Sequence, residues 1–155
     1  MPIGPRPHHA LIFIDGACSG NPGPASIGIV IQDGRRPRSL ARYLGPATNN
    51  IAEYLALVYA LQEALRLRYR DLTVKSDSEL LVRQMQGTYK VRDPQLRVLH
   101  DLAAHLAAAF RTVRLEHIPR EQNRAADRLA GRALAAQRSS GDWEVQEPTD
   151  VQKTW

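Results

Sequence analysis

Cysteine is almost missing from this chain: Cys18 is the only one among 155 residues. No internal disulfide can form, and a reducing cytoplasm is the expected setting. Long hydrophobic runs are missing too. No apolar stretch approaches the ~20 residues that a membrane-spanning helix needs. Met1 to His9 carry prolines, arginine and histidine without an apolar centre, so no signal peptide is expected there. Internal repeats and low-complexity segments are absent. Acidic charge is in the minority, with 16 Asp and Glu against 21 Lys and Arg and a formal net charge of +5. That balance favours an anionic partner, and nucleic acid is the commonest one.

What is present suits one globular domain. Hydrophobic residues make up 43% of the chain, and a chain of this length buries roughly 68–70% of its unfolded surface. The stretch Leu11 to Pro24 organises the rest. An apolar, β-branched run, Leu11-Ile12-Phe13-Ile14, stops at Asp15, and a turn rich in Gly, Pro and Asn follows. The run lacks polar alternation and reads as a strand buried on both faces. A charge at its tip is costly unless a cation or metal pairs with it. Gly16, Gly20 and Gly23 let backbone approach a ligand closely. Asp-Gly is also an ordinary turn pair, so the other acids have to decide.

Further along, Ile27–Ile31 and Arg38–Leu44 read as a hairpin around Asp33-Gly34. Thr48-Asn49-Asn50 opens a helix running to about Tyr69, with Asn50 and Glu53 spaced as a capping box. A strand from Leu72 to Ser76 ends at Asp77. Helices are expected from Ser78 to Gln86 and from Pro94 to about Phe110, joined by a polar connector. Val113 to Ile118 is a fifth strand, and a last helix runs from Glu121 to Gln137. The expected organisation is an N-terminal extension (1–9), one domain (10–138) and a tail (139–155), disordered or loosely docked. Three strands followed by alternating helices and strands imply an α/β fold with a mixed sheet.

Four acids fall at matching places. Asp15 and Asp77 end strands, Glu53 sits in the first turn of the long helix, and Asp127 lies one turn after Asn123 in the last helix. If the strands before Asp15 and Asp77 are neighbours, the two carboxylates stand side by side at the sheet edge where open sheets hold ligands. Singly, each acid reads equally well as a cap or a solvated charge. Gathered, they repel unless cations neutralise them. Hard oxygen ligands suit Mg²⁺ or Mn²⁺, and a pair of such ions serves phosphoryl transfer.

Four segments resemble type 1 ribonuclease H: Asp15-Gly16-Ala17-Cys18-Ser19-Gly20-Asn21-Pro22-Gly23-Pro24, Thr48-Asn49-Asn50-Ile51-Ala52-Glu53-Tyr54, Ser76-Asp77-Ser78, and Asn123-Arg124-Ala125-Ala126-Asp127-Arg128-Leu129-Ala130. The resemblance runs from Ala10 to Leu134. It implies a ribonuclease H-like fold, a five-stranded mixed sheet of order 3-2-1-4-5 flanked by helices. It implies endonucleolytic hydrolysis of the RNA strand of an RNA–DNA hybrid, leaving 5′-phosphate and 3′-hydroxyl ends. Asp15, Glu53, Asp77 and Asp127 would be the catalytic acids holding two Mg²⁺ ions, with Mn²⁺ able to substitute. Asn21, Asn49, Asn50, Gln84 and Asn123 would contact the hybrid.

Two departures from the family stand out. The basic helix and loop after the second helix is replaced by the short Gly87–Pro94 connector, with Lys90 and Arg92. The loop before the last acid is shortened and lacks its glycine-flanked His; His117 falls on the strand, and Arg120 is expected to hold a phosphate in that position. Cys18 reads as a small packing residue, and His100 and His105 as helix surface. A monomer without an obligate protein partner and without membrane attachment is expected. The competing readings are a hybrid-binding module without catalysis, and an exonuclease or integrase of related fold.

Overall fold

The computed structural model describes residues 8–141. The tail from Asp142 onward and the first seven residues lie outside the described residues.

Strand β1 (His9–Cys18) sits at the centre of the sheet. It pairs antiparallel with β2 (Gly23–Gln32), which pairs with β3 (Arg38–Ala47). On its other side β1 runs parallel to β4 (Asp71–Ser76), and β4 to β5 (Thr112–His117). The order β3-β2-β1-β4-β5 is the one expected. A sixth, two-residue strand, β6 (Ser140–Gly141), adds to the outer edge of β3, so the beginning of the expected tail lies on the sheet.

Pleat alternation assigns the two faces of the sheet. Ala10, Ile12 and Ile14 of β1, with Ile27, Ile29 and Ile31 of β2, are buried in one core with Tyr54, Leu57 and Leu61 of α1 (Asn49–Arg66). Each such side chain contributes about 1.5–3 kcal/mol on burial. Helix α3 (Pro94–Ala107) packs on α1 through Leu96 and Ala103, and α2 (Glu79–Met85) lies near β5. The opposite face is covered by α4 (Arg124–Ala136), which follows a short 3-10 turn at Arg120–Gln122.

Several local expectations are corrected. β1 does not stop at Asp15 but continues to Cys18; what ends at Ile14 is its pairing with β4. The α1 cap is Thr48, whose Oγ1 accepts from the Ile51 N–H at 3.2 Å, so Asn50 and Glu53 form no capping box. That shift frees Glu53 for other work. His100 is not free helix surface. Half-buried, it sits edge-on to Tyr54 and its Nε2 lies 3.1 Å from the Gln84 carbonyl.

Candidate active site

Parallel pairing brings the first two acids together. Ile14 is in register with Ser76, so Asp15 and Asp77 occupy the next position on neighbouring strands. Asp15 shares a face with its partner Gly28, the face under α4; Gly16 faces α1. Both glycines are sites of close approach. A Cβ on Gly16 would lie 2.7 Å from Ala52 and Glu53 backbone atoms, and one on Gly28 2.1 Å from the Ala126 carbonyl oxygen. Without side chains there, α1 and α4 settle against the sheet and carry Glu53 and Asp127 to Asp15. The Gly16 N–H donates to Glu53 Oε1, and Ser26 Oγ donates to the Ala130 carbonyl at 2.5 Å.

Carboxylate oxygens of Asp15, Glu53 and Asp77 all lie within 4.8 Å of one another. Asp127 stands outside this trio, near enough to Asp15 to help raise its carboxyl. Burial raises the Asp15 carboxyl from 3.8 to about 9, and the charges of Glu53 and Asp77 push the same way. Burial likewise raises Glu53 from 4.5 to about 8; the Gly16 N–H offsets part of this and Asp77 adds to it. Glu53 Oε2 is buried without a hydrogen-bond partner. An orphaned buried carboxylate oxygen beside two more acids is what a hard divalent cation would satisfy. The residues therefore fit such an ion, with Asp15, Glu53 and Asp77 as its donors and Asp127 beside them.

The acids open into a cleft of about 540 Å³ lined also by Ala17, Cys18, Asn49, Asn50, Ser78, Arg120 and Leu134. Asn49 and Asn50 are exposed on its rim. Asn21, exposed on the neighbouring loop, accepts the Asn49 backbone N–H at 3.0 Å and ties the two loops together. Arg120 is 79% exposed, with Nη2 3.7 Å from Asp127 Oδ1. Cys18 is half-buried and faces the carbonyls of Gly23 and Ala47, as a packing residue would.

Two expected hybrid contacts are placed elsewhere. Asn123 is buried, and its Nδ2 donates to the Ile14 carbonyl at 2.8 Å, joining α4 to β1. Gln84 is buried as well, accepting from the Tyr54 hydroxyl at 2.5 Å and donating to the Lys90 carbonyl at 3.2 Å. Both amides are turned into the fold, so as placed neither side chain reaches a ligand in the cleft; both serve as braces. Gly28 was available to sequence reasoning: a lone glycine inside an apolar strand marks close backbone approach.

Comparison with known proteins agrees with this arrangement. The family described as reverse transcriptase-like matches residues 13–133. Bifunctional protein Rv2228c of Mycobacterium tuberculosis is 42% identical over 137 residues, covering 85% of this chain and 38% of that protein; the chain thus spans well under half of that relative's length. The crystal structure of RNase H1 from the archaeon Halobacterium salinarum superposes with a TM-score of 0.78 at 36% identity, covering 83% of this chain and 98% of that one. LC11-RNase H1, solved in complex with an RNA/DNA hybrid, gives 0.77 at 40% identity, again covering 83% and 98%. Strand order, acid cluster and these matches agree over most of the chain, which belongs to the type 1 ribonuclease H family.

Proposed function

We propose that the protein is a metal-dependent endoribonuclease that hydrolyses the RNA strand of RNA–DNA hybrids, leaving 5′-phosphate and 3′-hydroxyl ends. The observation that carries this reading is the cluster of buried Asp15 and Glu53 with half-buried Asp77, and its orphaned oxygen, opening beside exposed asparagines in one cleft. A binding module in a basic protein gains nothing from buried carboxylates that repel one another. The relative solved with a hybrid supports the substrate.

Asp15, Glu53, Asp77 and Asp127 act as oxygen donors to two Mg²⁺ ions, and Mn²⁺ can replace them. When bound, such ions supply an activated water and neutralise charge developing on the phosphate. The chain's own residues do the positioning. Asn49 and Asn50, with Asn21 holding their loop, present amides to sugar hydroxyls and base edges, the groups that tell RNA from DNA. Asn123 and the glycines fix the spacing of the acids. The reading has the enzyme act alone, as a monomer in the cytoplasm; among the described residues no helix is long and apolar enough to cross a membrane.

Labelled RNA–DNA hybrid, duplex DNA and duplex RNA, each with Mg²⁺ and with chelator, test this. Only the hybrid is cut, internally, on the RNA strand, and chelator stops it. Shortening from an end points to an exonuclease, and binding without cleavage to an idle module; either overturns the reading.

Arg120 has a role of its own. Its guanidinium cannot titrate near neutral pH and is no base, but it can grip a phosphate through two donors. Arg120→Ala is expected to lower turnover by about tenfold, the scale of one charge-assisted bond, with a smaller loss of affinity. Arg120→Lys recovers part of it. Full turnover of Arg120→Ala on saturating hybrid leaves this residue as loop surface.

A further inference from the structure

Helix α4 contains a residue that its packing does not explain. Gly131 lies mid-helix, four residues after Asp127 and three before Leu134, so the three share the face that walls the cleft. A glycine in a helix interior weakens the helix relative to alanine. At Gly28 a Cβ would strike backbone; at Gly131 an added Cβ would meet nothing within 4 Å. No neighbour in the described fold requires the missing side chain, and the space it leaves opens beside the cleft.

Arginines flank this opening. Arg124, Arg128 and Arg132 follow one another at intervals of four along α4, all exposed. Like charges at that interval destabilise a helix. Among the described residues none of the three enters an ion pair. At 3.6 residues per turn, Arg124 and Arg128 lie about 60° and about 100° around the helix from Asp127, and Arg132 about 140°. All three therefore lie on one exposed stripe, Arg124 nearest the cleft and Arg132, about 40° beyond Arg128, furthest from it.

We propose that this face of α4 is a binding track for one sugar–phosphate backbone of the hybrid. Gly131 lets the backbone lie close to the helix, and Arg124 and Arg128 pair with its phosphates. The track adds cationic contacts to the two, Lys90 and Arg92, that the short Gly87–Pro94 connector carries. The inference rests on the hybrid-cleaving reading above and adds residues to it.

The test measures affinity for a labelled hybrid longer than one helical turn, in chelator and at several salt concentrations, with KM and kcat measured in Mg²⁺. Arg124→Ala and Arg128→Ala each weaken binding roughly tenfold, as loss of a charge-assisted contact does. Together they reduce the slope of log affinity against log salt by about two. The loss appears in KM before kcat. Arg36→Ala, which removes the same charge from the turn between β2 and β3 at the other end of the sheet, changes affinity by less than about twofold. Gly131→Ala raises the melting temperature, since nothing obstructs it. Gly131→Leu keeps the fold by circular dichroism but weakens binding. Wild-type affinity in Gly131→Leu, or equal losses in Arg36→Ala and Arg128→Ala, overturns the track and leaves only net charge. If the unaltered protein neither binds nor cuts the hybrid, the substrate reading falls with it; if it cuts and the variants bind unchanged, only the track falls.

Discussion

Replacing Asp15 by Asn is expected to lower hybrid cleavage by on the order of 10³-fold or more, the scale for a residue acting within a catalytic unit, while the metal-free protein melts higher than the wild type. The two effects share a cause. Asp15 is buried between Glu53, Asp77 and Asp127, and no cation among the described side chains reaches into the trio. In chelator near neutral pH the folded chain has to hold a proton on Asp15 that the unfolded chain releases, and a neutral amide of the same shape removes that cost. Each kcal/mol so gained is worth roughly 2–4 °C at this size. With Mg²⁺ present the ranking narrows, because the wild type gains from ion binding and the variant loses a ligand.

The pH dependence follows the same charges. Asp15 and Glu53 titrate at about 9 and about 8 in the folded chain, against 3.8 and 4.5 in an unfolded one. Within that window the folded state binds more protons, so stability falls as pH rises. The contribution is complete below about pH 4 and gone above about pH 9. Melting temperatures in chelator, taken across that range, decline more steeply for the wild type than for Asp15→Asn. Wild-type turnover in the variant, or parallel melting curves across pH, rules out the assignment of Asp15.

The part of this site legible in the sequence is the part set by backbone direction. An apolar run stopping at Asp15 and another stopping at Asp77 need only parallel pairing to place their acids side by side, and the strand–helix order implied that pairing. Asp127 came from the resemblance of Asn123 to Ala130 to a family motif, one turn after Asn123 in the last helix. Side-chain direction at the element ends was not legible. Asn123 and Gln84 have the composition of surface contacts, yet each amide turns inward, because the neighbouring Ile14 carbonyl and Tyr54 hydroxyl need partners. Glu53 fits a capping box as well as a ligand; Thr48 as the cap excludes the box, and only the fold shows that. The β6 pairing was hidden for a plainer reason: Ser140-Gly141 carries no strand pattern, and its pairing with β3 is a matter of backbone.

Gly28→Ala is expected to damage the fold severely for the addition of a single methyl group, and it acts at the site without touching any acid. The added Cβ lies 2.1 Å from the Ala126 carbonyl oxygen and 2.8 Å from the Ala130 nitrogen. Both obstacles are helix backbone, with no rotamer to swing aside, so α4 has to lift from β2. Overpacking costs about 1–3 kcal/mol where side chains can adjust, and a backbone collision lies at the upper end or beyond. The melting temperature falls by roughly 5–10 °C on the scaling for a domain of this size. Turnover falls more than stability alone accounts for, measured well below the transition where the chain is folded. Lifting α4 draws Asp127 away from Asp15, loosens the Asn123 bond to the Ile14 carbonyl and breaks the Ser26 bond to Ala130. A displacement of about 1 Å at a catalytic group can cost about 10²-fold. Melting is compared with Gly131→Ala in the same helix, where an added Cβ meets nothing within 4 Å, and cleavage with the wild type. If Gly28→Ala melts like Gly131→Ala and cleaves like the wild type, the close seating of α4 on β2 is not what holds Asp127 in place.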